Sequence, residues 1–205
     1  MKNLFGEDPS LQERKLKCIF TPLGASNHTK EERQGEDFYA TPPITTEKLL
    51  QSGIEFAGEV WEPACGQGHI SKVLEAYGHK VRSTDLNYRN YGEGGVNFLL
   101  EFSKWRGDII TNPPYVLARE FAEHSLEVLE EGRKRAMLLK LTFLEGNARR
   151  RLFEADPPKD ILVFSKRIQV AKNGAFEKYG PGGAMAYAWF VWEKGFKGRP
   201  SVGWI

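Results

Sequence analysis

The sequence predicts an α/β fold with a largely parallel, seven-stranded sheet and helices on both of its faces. From residue 59 onward, short apolar runs alternate with segments of helical spacing, which is the pattern of strands connected by crossover helices. The first run leads into a glycine turn, Gly66-Gln67-Gly68, and two later runs end near Asp85 and Asn112. Because ligands of such sheets bind beyond the carboxyl ends of the strands, we expect these residues to share one site.

Local signals predict each element in chain order. Residues 1–36 are polar and lack periodicity, so we expect a weakly structured segment there, and Thr45 or Thr46 is expected to cap the first helix. Gly78 and Gly132 are the expected ends of the second and third helices. The predicted helices are 45–50, 69–77, 118–129 and 147–153, and the predicted strands are 59–62, 80–86, 97–100, 108–112, 136–141, 161–164 and 187–192.

The composition is that of an ordinary globular protein of 205 residues, which suits one domain. No stretch approaches the roughly 20 apolar residues of a membrane span, and the first residues contain no signal-peptide core. The two cysteines, Cys18 and Cys65, make no disulfide framework, and no cysteine–histidine group has zinc spacing. We therefore expect a cytoplasmic monomer or homodimer without a metal or a membrane partner.

Charge is unevenly distributed along the chain, although the net charge is only +2. Residues 1–132 hold 14 Lys and Arg against 21 Asp and Glu, whereas residues 133–205 hold 15 against 6. A basic half indicates contact with an anionic partner such as nucleic acid. The plainer alternative is that these side chains are simply solvated.

The motif Asn112-Pro113-Pro114-Tyr115 follows the apolar run 109–111 and predicts a rigid turn at the end of a buried strand. The prolines fix the backbone dihedral φ at two positions, and the residue before a proline is kept out of the helical region. The Asn112 side chain and the neighbouring carbonyls are thus held as acceptors beside an aromatic ring. That arrangement suits a planar ligand with an exocyclic amino group, although the motif alone could also be a surface turn.

The glycine turn and Asp85 together predict nucleotide binding. Gly66-x-Gly68 lets a ligand approach the backbone closely, and the following helix offers N–H groups. Asp85 ends the next predicted strand, where a carboxylate can accept hydrogen bonds from two ribose hydroxyls. Nicotinamide cofactors are less favoured, because Ser71 stands where the third glycine of the GxGxxG pattern would lie.

In combination, these motifs resemble the S-adenosylmethionine (SAM)-dependent DNA adenine-N6 methyltransferases. Glu62-Pro63-Ala64-Cys65-Gly66-Gln67-Gly68 resembles the family's glycine turn, and the upstream Phe38-Tyr39-Ala40-Thr41-Pro42 resembles the segment that holds the methionine end of SAM. The order of the motifs matches the γ-like arrangement, and the resemblance covers residues 37–193. It implies a Rossmann-like methyltransferase domain over residues 37–205.

The resemblance also implies the site residues. The catalytic residues would be Asn112, Pro113, Pro114 and Tyr115. SAM would be bound by Tyr39, Thr41, Pro42, Glu62, Pro63, Ala64, Cys65, Gly66, Gly68, Asp85, Leu86, Asn97, Phe98 and Asn112. Asn97 departs from the family, which commonly has an acidic residue at this place, although asparagine still offers an acceptor and Phe98 a flanking ring.

With 205 residues, we expect no separate target-recognition domain of the kind that larger relatives carry. Residues 165–184 mix basic and aromatic residues with glycines and are the expected substitute, the alternative being a long solvated hairpin loop. The expected nucleic-acid contacts are Arg167, Lys172, Phe176, Lys178 and Tyr179. Arg149-Arg150-Arg151 is a second candidate surface. The small size suggests an orphan, phage-like enzyme of a bacterial cell or a phage-infected host.

The expected reaction is methyl transfer from SAM to the N6 amino group of adenine in DNA. RNA adenine and the side-chain amide of a protein glutamine remain open, since each presents an amino group on a planar frame. Cytosine-N4 methylation is disfavoured, because it usually goes with serine at the position of Asn112. A non-catalytic nucleic-acid-binding scaffold is disfavoured by the intact glycine turn, Asn112 and Tyr115.

Overall fold

A seven-stranded sheet is the centre of the computed structural model, which describes residues 39–168, 171–172 and 185–205. These residues belong to one unit, Phe38–Ile205, and the predicted weakly structured segment 1–36 lies outside them. The strands are β1 Tyr39–Ala40, β2 Glu59–Glu62, β3 Lys80–Ser83, β4 Asp108–Thr111, β5 Lys134–Lys140, β6 Asp160–Val163, β7 Ala171–Lys172, β8 Tyr187–Glu193 and β9 Ser201–Trp204. The helices are α1 Pro43–Leu50, α2 His69–Ala76, α3 Ala118–Val128 and α4 Asn147–Ala155.

The strand order in the main sheet is β3-β2-β4-β5-β8-β6-β9. The first four of these strands pair in parallel, and β9 pairs in parallel with β6. Only β8 runs against its neighbours, because it inserts antiparallel between β5 and β6. The prediction of a largely parallel seven-stranded sheet is therefore confirmed. Outside this sheet, β1 and β7 form a separate antiparallel pair.

Helices cover both faces of the sheet, as predicted. On one face, α3 and α4 pack their apolar residues against Trp61, Ile109 and Phe190. On the other face, Leu49 of α1 and Ile70 and Leu74 of α2 pack against β2, β4, β5 and β8. The sheet is thus buried on both sides, which explains why its strands are short apolar runs rather than alternating ones.

The predicted strand 97–100 is wrong. Phe98–Leu100 is a 3₁₀ turn, because Asn97 Oδ1 accepts a hydrogen bond from the backbone N–H of Leu99 at 3.1 Å and so draws the chain into a tight turn. The seventh strand of the sheet is β9 instead, which pairs with β6 at the sheet edge. The expected count of strands was right, but one member was misplaced.

Two element boundaries near the site also differ from the prediction. Strand β3 ends at Ser83, so Asp85 lies two residues beyond the sheet rather than within the strand. Helix α1 begins at Pro43 with Pro42 as its N-cap and without a side-chain cap, so neither Thr45 nor Thr46 caps it. Proline suits the first helical position, where its missing N–H costs no hydrogen bond.

Candidate active site

The predicted cofactor and acceptor residues follow three neighbouring strands at one edge of the sheet. The glycine turn follows β2, Asp85 lies just beyond β3, and Asn112 follows β4. Since β2 pairs in parallel with both β3 and β4, the carboxyl ends of these strands lie side by side. This is the location at which open α/β sheets bind ligands.

The glycine turn is held by backbone hydrogen bonds and requires glycine at Gly68. Cys65 donates its N–H to Thr84 O at 3.0 Å, and Gly68 donates to Cys65 O at 2.7 Å. Gly68 has φ of +77°, and a Cβ built on it would lie 2.4 Å from the ring of Tyr91. A side chain at this position is therefore excluded by both the backbone conformation and the Tyr91 ring.

Asp85 is fastened to the glycine turn. Its Oδ2 accepts the N–H of Gly66 at 2.8 Å, and its Oδ1 accepts the N–H of Asn87 at 2.8 Å. Each carboxylate oxygen has a second lone pair, so these bonds fix the carboxylate without exhausting it as an acceptor. The structure thus brings two of the predicted cofactor residues into direct contact.

Glu62 is a buried acid beneath the turn. Its Oε2 accepts hydrogen bonds from both the backbone N–H and the hydroxyl of Ser71, whose Oγ also lies 2.6 Å from Ser83 Oγ. The pKa of Glu62 is raised from 4.5 to about 8, mainly by burial; the Ser71 hydrogen bonds oppose this rise, and the nearby carboxylates of Asp85 and Glu75 add to it. At neutral pH this carboxyl is therefore largely protonated.

Tyr91 packs on the outside of the glycine turn. Its hydroxyl donates to Glu75 Oε1 at 3.0 Å, and Lys72 Nζ lies 5.0 Å from its ring centroid. Sequence reasoning missed Tyr91, Ser71 and Ser83. Only Ser71 carried a signal, namely its position one turn into the helix after Gly68; Tyr91 reaches the site through a loop that has no periodic pattern.

Cys65 serves the packing of the turn rather than chemistry. Its side chain is buried, and burial raises the pKa of the thiol to about 12, with Glu62 and Asp85 adding to the effect. A thiol in that state is not a nucleophile at physiological pH.

Asn112 is oriented by the upstream segment. Its Nδ2 donates to Thr41 Oγ1 at 3.0 Å, so the donor arm of the amide faces Thr41 and the carbonyl Oδ1 is the arm suited to accept hydrogens. Thr41 is 3% exposed and precedes Pro42, whose carbonyl accepts the N–H of Thr45 at 2.9 Å. Two segments 71 residues apart are therefore joined at the acceptor motif.

Helix α1 anchors this upstream segment to the core. Trp189 of the interior strand β8 donates its indole N–H to the carbonyl of Thr45 at 2.8 Å, and both residues are buried. The position of Thr41, and through it that of Asn112, thus depends on the core of the sheet.

The ring of Tyr115 lies beside the end of β5 and the start of β8. Its centroid is 5.9 Å from that of Tyr187, with an angle of 37° between the rings, and Lys140 Nζ is 4.7 Å from the Tyr115 centroid. Pro113 is buried, and Pro114 opens the 3₁₀ turn Tyr115–Leu117. The motif is thus a rigid turn at a strand end, as predicted.

Two of the predicted cofactor residues, Asn97 and Phe98, have structural roles in this arrangement. Phe98 is 1% exposed and packs against Trp61, Phe121 and His124, so its ring belongs to the core. Asn97 Oδ1 accepts the Leu99 N–H described above. Pro63 is buried, Ala64 packs against the core, Leu86 is exposed, and Tyr39 lies in β1.

The candidate recognition loop adjoins the upstream segment. In the β1–β7 pair, Tyr39 lies opposite Lys172 and Ala40 opposite Ala171, so these two residues of the loop lie beside the strand that leads to Thr41. Arg167 is exposed. The predicted contacts Phe176, Lys178 and Tyr179 lie outside the described residues.

The second candidate surface, Arg149-Arg150-Arg151, is mostly engaged in local structure. Arg149 donates to the carbonyls of Phe143 at 2.7 Å and Thr142 at 3.0 Å, and also to that of Glu145. Arg150 pairs with Glu154 at 2.7 Å. Arg149 therefore closes the end of the Leu141–Leu144 turn, which weakens this cluster as a nucleic-acid surface.

Among the described residues there is neither a candidate metal site nor a candidate membrane-spanning helix. Among residues 39–168, 171–172 and 185–205, no group of three or more His, Cys, Asp or Glu side chains is placed to hold a metal ion. None of the helices in those ranges is long and apolar enough to cross a bilayer.

Comparison with solved structures identifies the fold. The methyltransferase subunit of a type I restriction-modification system from Streptococcus thermophilus superimposes with a TM-score of 0.59 at 14% identity, covering 83% of this chain and 47% of that subunit. A candidate RNA methyltransferase from Pyrococcus horikoshii gives 0.54 at 15% identity over 76% and 86% of the two chains. A candidate hemolysin from Lactococcus lactis gives 0.56 at 15% identity over 78% and 91%.

No protein-family model matches the chain, and no curated protein matches it by sequence. The structural likeness establishes the Rossmann-like fold of SAM-dependent methyltransferases, as the sequence predicted. This chain spans about half of the Streptococcus subunit, so its fold corresponds to part of that larger protein.

Proposed function

We propose that this chain is a SAM-dependent methyltransferase that acts on the N6 amino group of adenine in DNA. The observation that carries the proposal is the hydrogen bond from Asn112 to Thr41. It fixes the amide of an Asn-Pro-Pro-Tyr turn at the end of β4, with Oδ1 as the acceptor arm. An acceptor held in this way matches a substrate that presents an NH₂ group on a planar ring.

The charge of the site fits SAM better than it fits a pyrophosphate cofactor. Burial is the main cause of the raised pKa of Glu62, and the carboxylates of Asp85 and Glu75 add repulsion to it. A pyrophosphate would add to this repulsion, whereas the ammonium and sulfonium charges of SAM would offset it. Asp85 would hold the ribose hydroxyls, and the Gly66–Gly68 turn would admit the ligand to the backbone.

Methyl transfer in this site would rest on acceptor geometry. When bound, SAM supplies an electrophilic methyl group. Asn112 Oδ1 and the Pro113 carbonyl would accept the two hydrogens of adenine N6, which draws this nitrogen toward tetrahedral geometry and frees its lone pair for in-line attack. The rate gain would come from positioning and electrostatics.

Two further features of the acceptor site follow from the same chemistry. Tyr115 would stack on the target base, which must be flipped out of a duplex or taken from a single strand. The methylated nitrogen is acidic and can lose its proton to solvent, so no general base is needed beforehand.

The assignment to DNA draws on charge and on the position of the loop. Residues 133–205 carry 15 Lys and Arg against 6 Asp and Glu. The β1–β7 pair brings part of segment 165–184 beside the strand that leads to Thr41. A basic segment of which two residues pair with the strand that leads to Thr41 supports a polyanionic substrate.

Nucleoside mass spectrometry of DNA and RNA from cells that express the protein tests the proposal. We expect N6-methyladenine in DNA for the wild type and a loss of about 10²–10³ in rate for Asn112→Ala, which removes one preorganised acceptor. SAM affinity should be largely retained in this variant. The matched control is Asn147→Ala, at an exposed asparagine of α4.

The other outcomes of this experiment contradict the proposal in distinct ways. Methylated adenine in RNA alone would change the substrate, and methylated glutamine without methylated nucleoside would change its class. Wild-type turnover in Asn112→Ala would reject the acceptor role of Asn112.

A further inference from the structure

Lys140 occupies an unusual place at the end of an otherwise apolar row. Along β5, Ala136 and Leu138 are fully buried and point to the same face of the sheet, because side chains alternate along a strand. Lys140 is the next residue in this row and the last of the strand. Its ammonium group therefore emerges at the carboxyl edge of the sheet, where the acceptor motif lies.

The surroundings of Lys140 are aromatic rather than acidic. Tyr187 lies directly opposite Lys140 in the β5–β8 pair, and Lys140 Nζ is 4.7 Å from the Tyr115 centroid. By contrast, the Nζ atoms of Lys80 and Lys159 lie 2.6 and 2.8 Å, respectively, from a glutamate oxygen. In the described ranges of the chain, no carboxylate pairs with Lys140. Within the described ranges, this half-buried cation at a ligand edge is thus matched by a ring face and not by a carboxylate.

We propose that Lys140 binds a phosphate of the nucleic-acid strand next to the target nucleotide. Lys140 Nζ lies over one face of the Tyr115 ring, and that face cannot hold both this ammonium group and a stacked base. A base that stacks there displaces Lys140, and the flexible side chain then meets the phosphate that arrives with the base. This inference rests on the proposed function, and it adds a substrate contact outside the segment 165–184.

The plainer role for Lys140 is to stabilise Tyr115 through a cation–π contact. The two roles differ in their salt dependence. A phosphate contact releases counterions when the complex forms, whereas a contact within the protein does not. Salt dependence of nucleic-acid binding therefore separates them.

The test compares Lys140→Met, Lys140→Arg and the control Lys134→Met. Lys134 is a half-buried lysine at the opposite end of the same strand, so the control removes the same charge away from the site. Binding of a labelled duplex with several adenines is measured at several salt concentrations, with S-adenosylhomocysteine present. Urea unfolding checks that each variant is folded, and Lys140→Gln replaces Lys140→Met if the latter is not.

We expect Lys140→Met to reduce the slope of log affinity against log salt by about 0.7–0.9, and the other two variants to keep the wild-type slope. A wild-type slope in Lys140→Met, or a reduced slope in Lys134→Met, would overturn the inference. In either case, methylation by the wild type would leave the proposed function intact. Absence of both binding and methylation in the wild type would instead reject the proposed function.

Discussion

Replacing Glu62 by glutamine should remove a pH dependence of stability that the buried carboxyl imposes on the wild type. Glu62 is 2% exposed, and burial raises its pKa from 4.5 to about 8. The folded chain therefore binds this proton more tightly than the unfolded chain. The contribution of Glu62 to stability is complete below pH 4.5 and is lost as pH rises toward 8.

The size of the effect follows from that interval. Each pH unit within it costs about 1.4 kcal/mol, which amounts to on the order of 5 kcal/mol across the interval. Glutamine cannot ionise, but its carbonyl oxygen can still accept the N–H of Ser71. The variant should therefore gain stability relative to the wild type, measured as the free energy of unfolding, steadily as the pH is raised.

Urea unfolding at several pH values from about pH 5 to about pH 8.5 measures this gain. Only the difference between wild type and Glu62→Gln matters, since the other titrating groups largely cancel in it. The matched control is Glu59→Gln, which removes a partly exposed carboxylate at the start of the same strand. Its curve of unfolding free energy against pH should run parallel to that of the wild type. Parallel curves for wild type and Glu62→Gln would refute the reasoning.

The remaining predictions concern ligand binding. Asp85→Ala should weaken SAM by one or more orders of magnitude in calorimetry, because it removes charge-assisted hydrogen bonds worth about 1.5–3 kcal/mol each and deprives the Gly66 N–H of its acceptor. Unchanged SAM affinity in a folded variant would reject this role. Joint neutralisation of Arg167, Lys172 and Lys178 should weaken DNA binding but not SAM binding, and should lower the salt slope by about 0.7–0.9 for each phosphate that these side chains neutralise in the wild type. A wild-type slope after this change would remove the loop as the contact surface.

Local sequence signals were sufficient for most of the fold because each one acts within a few residues. The apolar runs of β2, β4, β5 and β8 and the helical spacing of α2 and α3 are signals of this kind. Strand β9 could not be predicted in this way, because Ser201–Trp204 is short, contains a glycine and is largely exposed. Its partner β6 lies some 40 residues earlier in the chain. Asn97 misled the prediction because its capping bond is decided by side-chain geometry.

The sequence predicted which residues lie together at the site but not the contacts that hold them in place. Motif order placed the glycine turn, Asp85 and Asn112 at one edge, because parallel strands end together. The bonds and contacts that hold them, such as Trp189 to Thr45 and Tyr91 against Gly68, join residues far apart in sequence. No local pattern encodes such pairs, so Tyr91, Lys140 and Tyr187 emerged only from the structure.

Because β8 inserts between β5 and β6, the two halves of the site form at different stages of synthesis. The strands that carry the glycine turn, Asp85 and Asn112 all lie within residues 59–111 and can pair as soon as that stretch leaves the ribosome. The Trp189 anchor of α1 and the Tyr187 neighbour of Tyr115 arrive only with β8. A nascent chain stalled before residue 187 would hold β2, β3 and β4 with β5 as an open edge, a state that is exposed to aggregation and lacks the Trp189 anchor of α1.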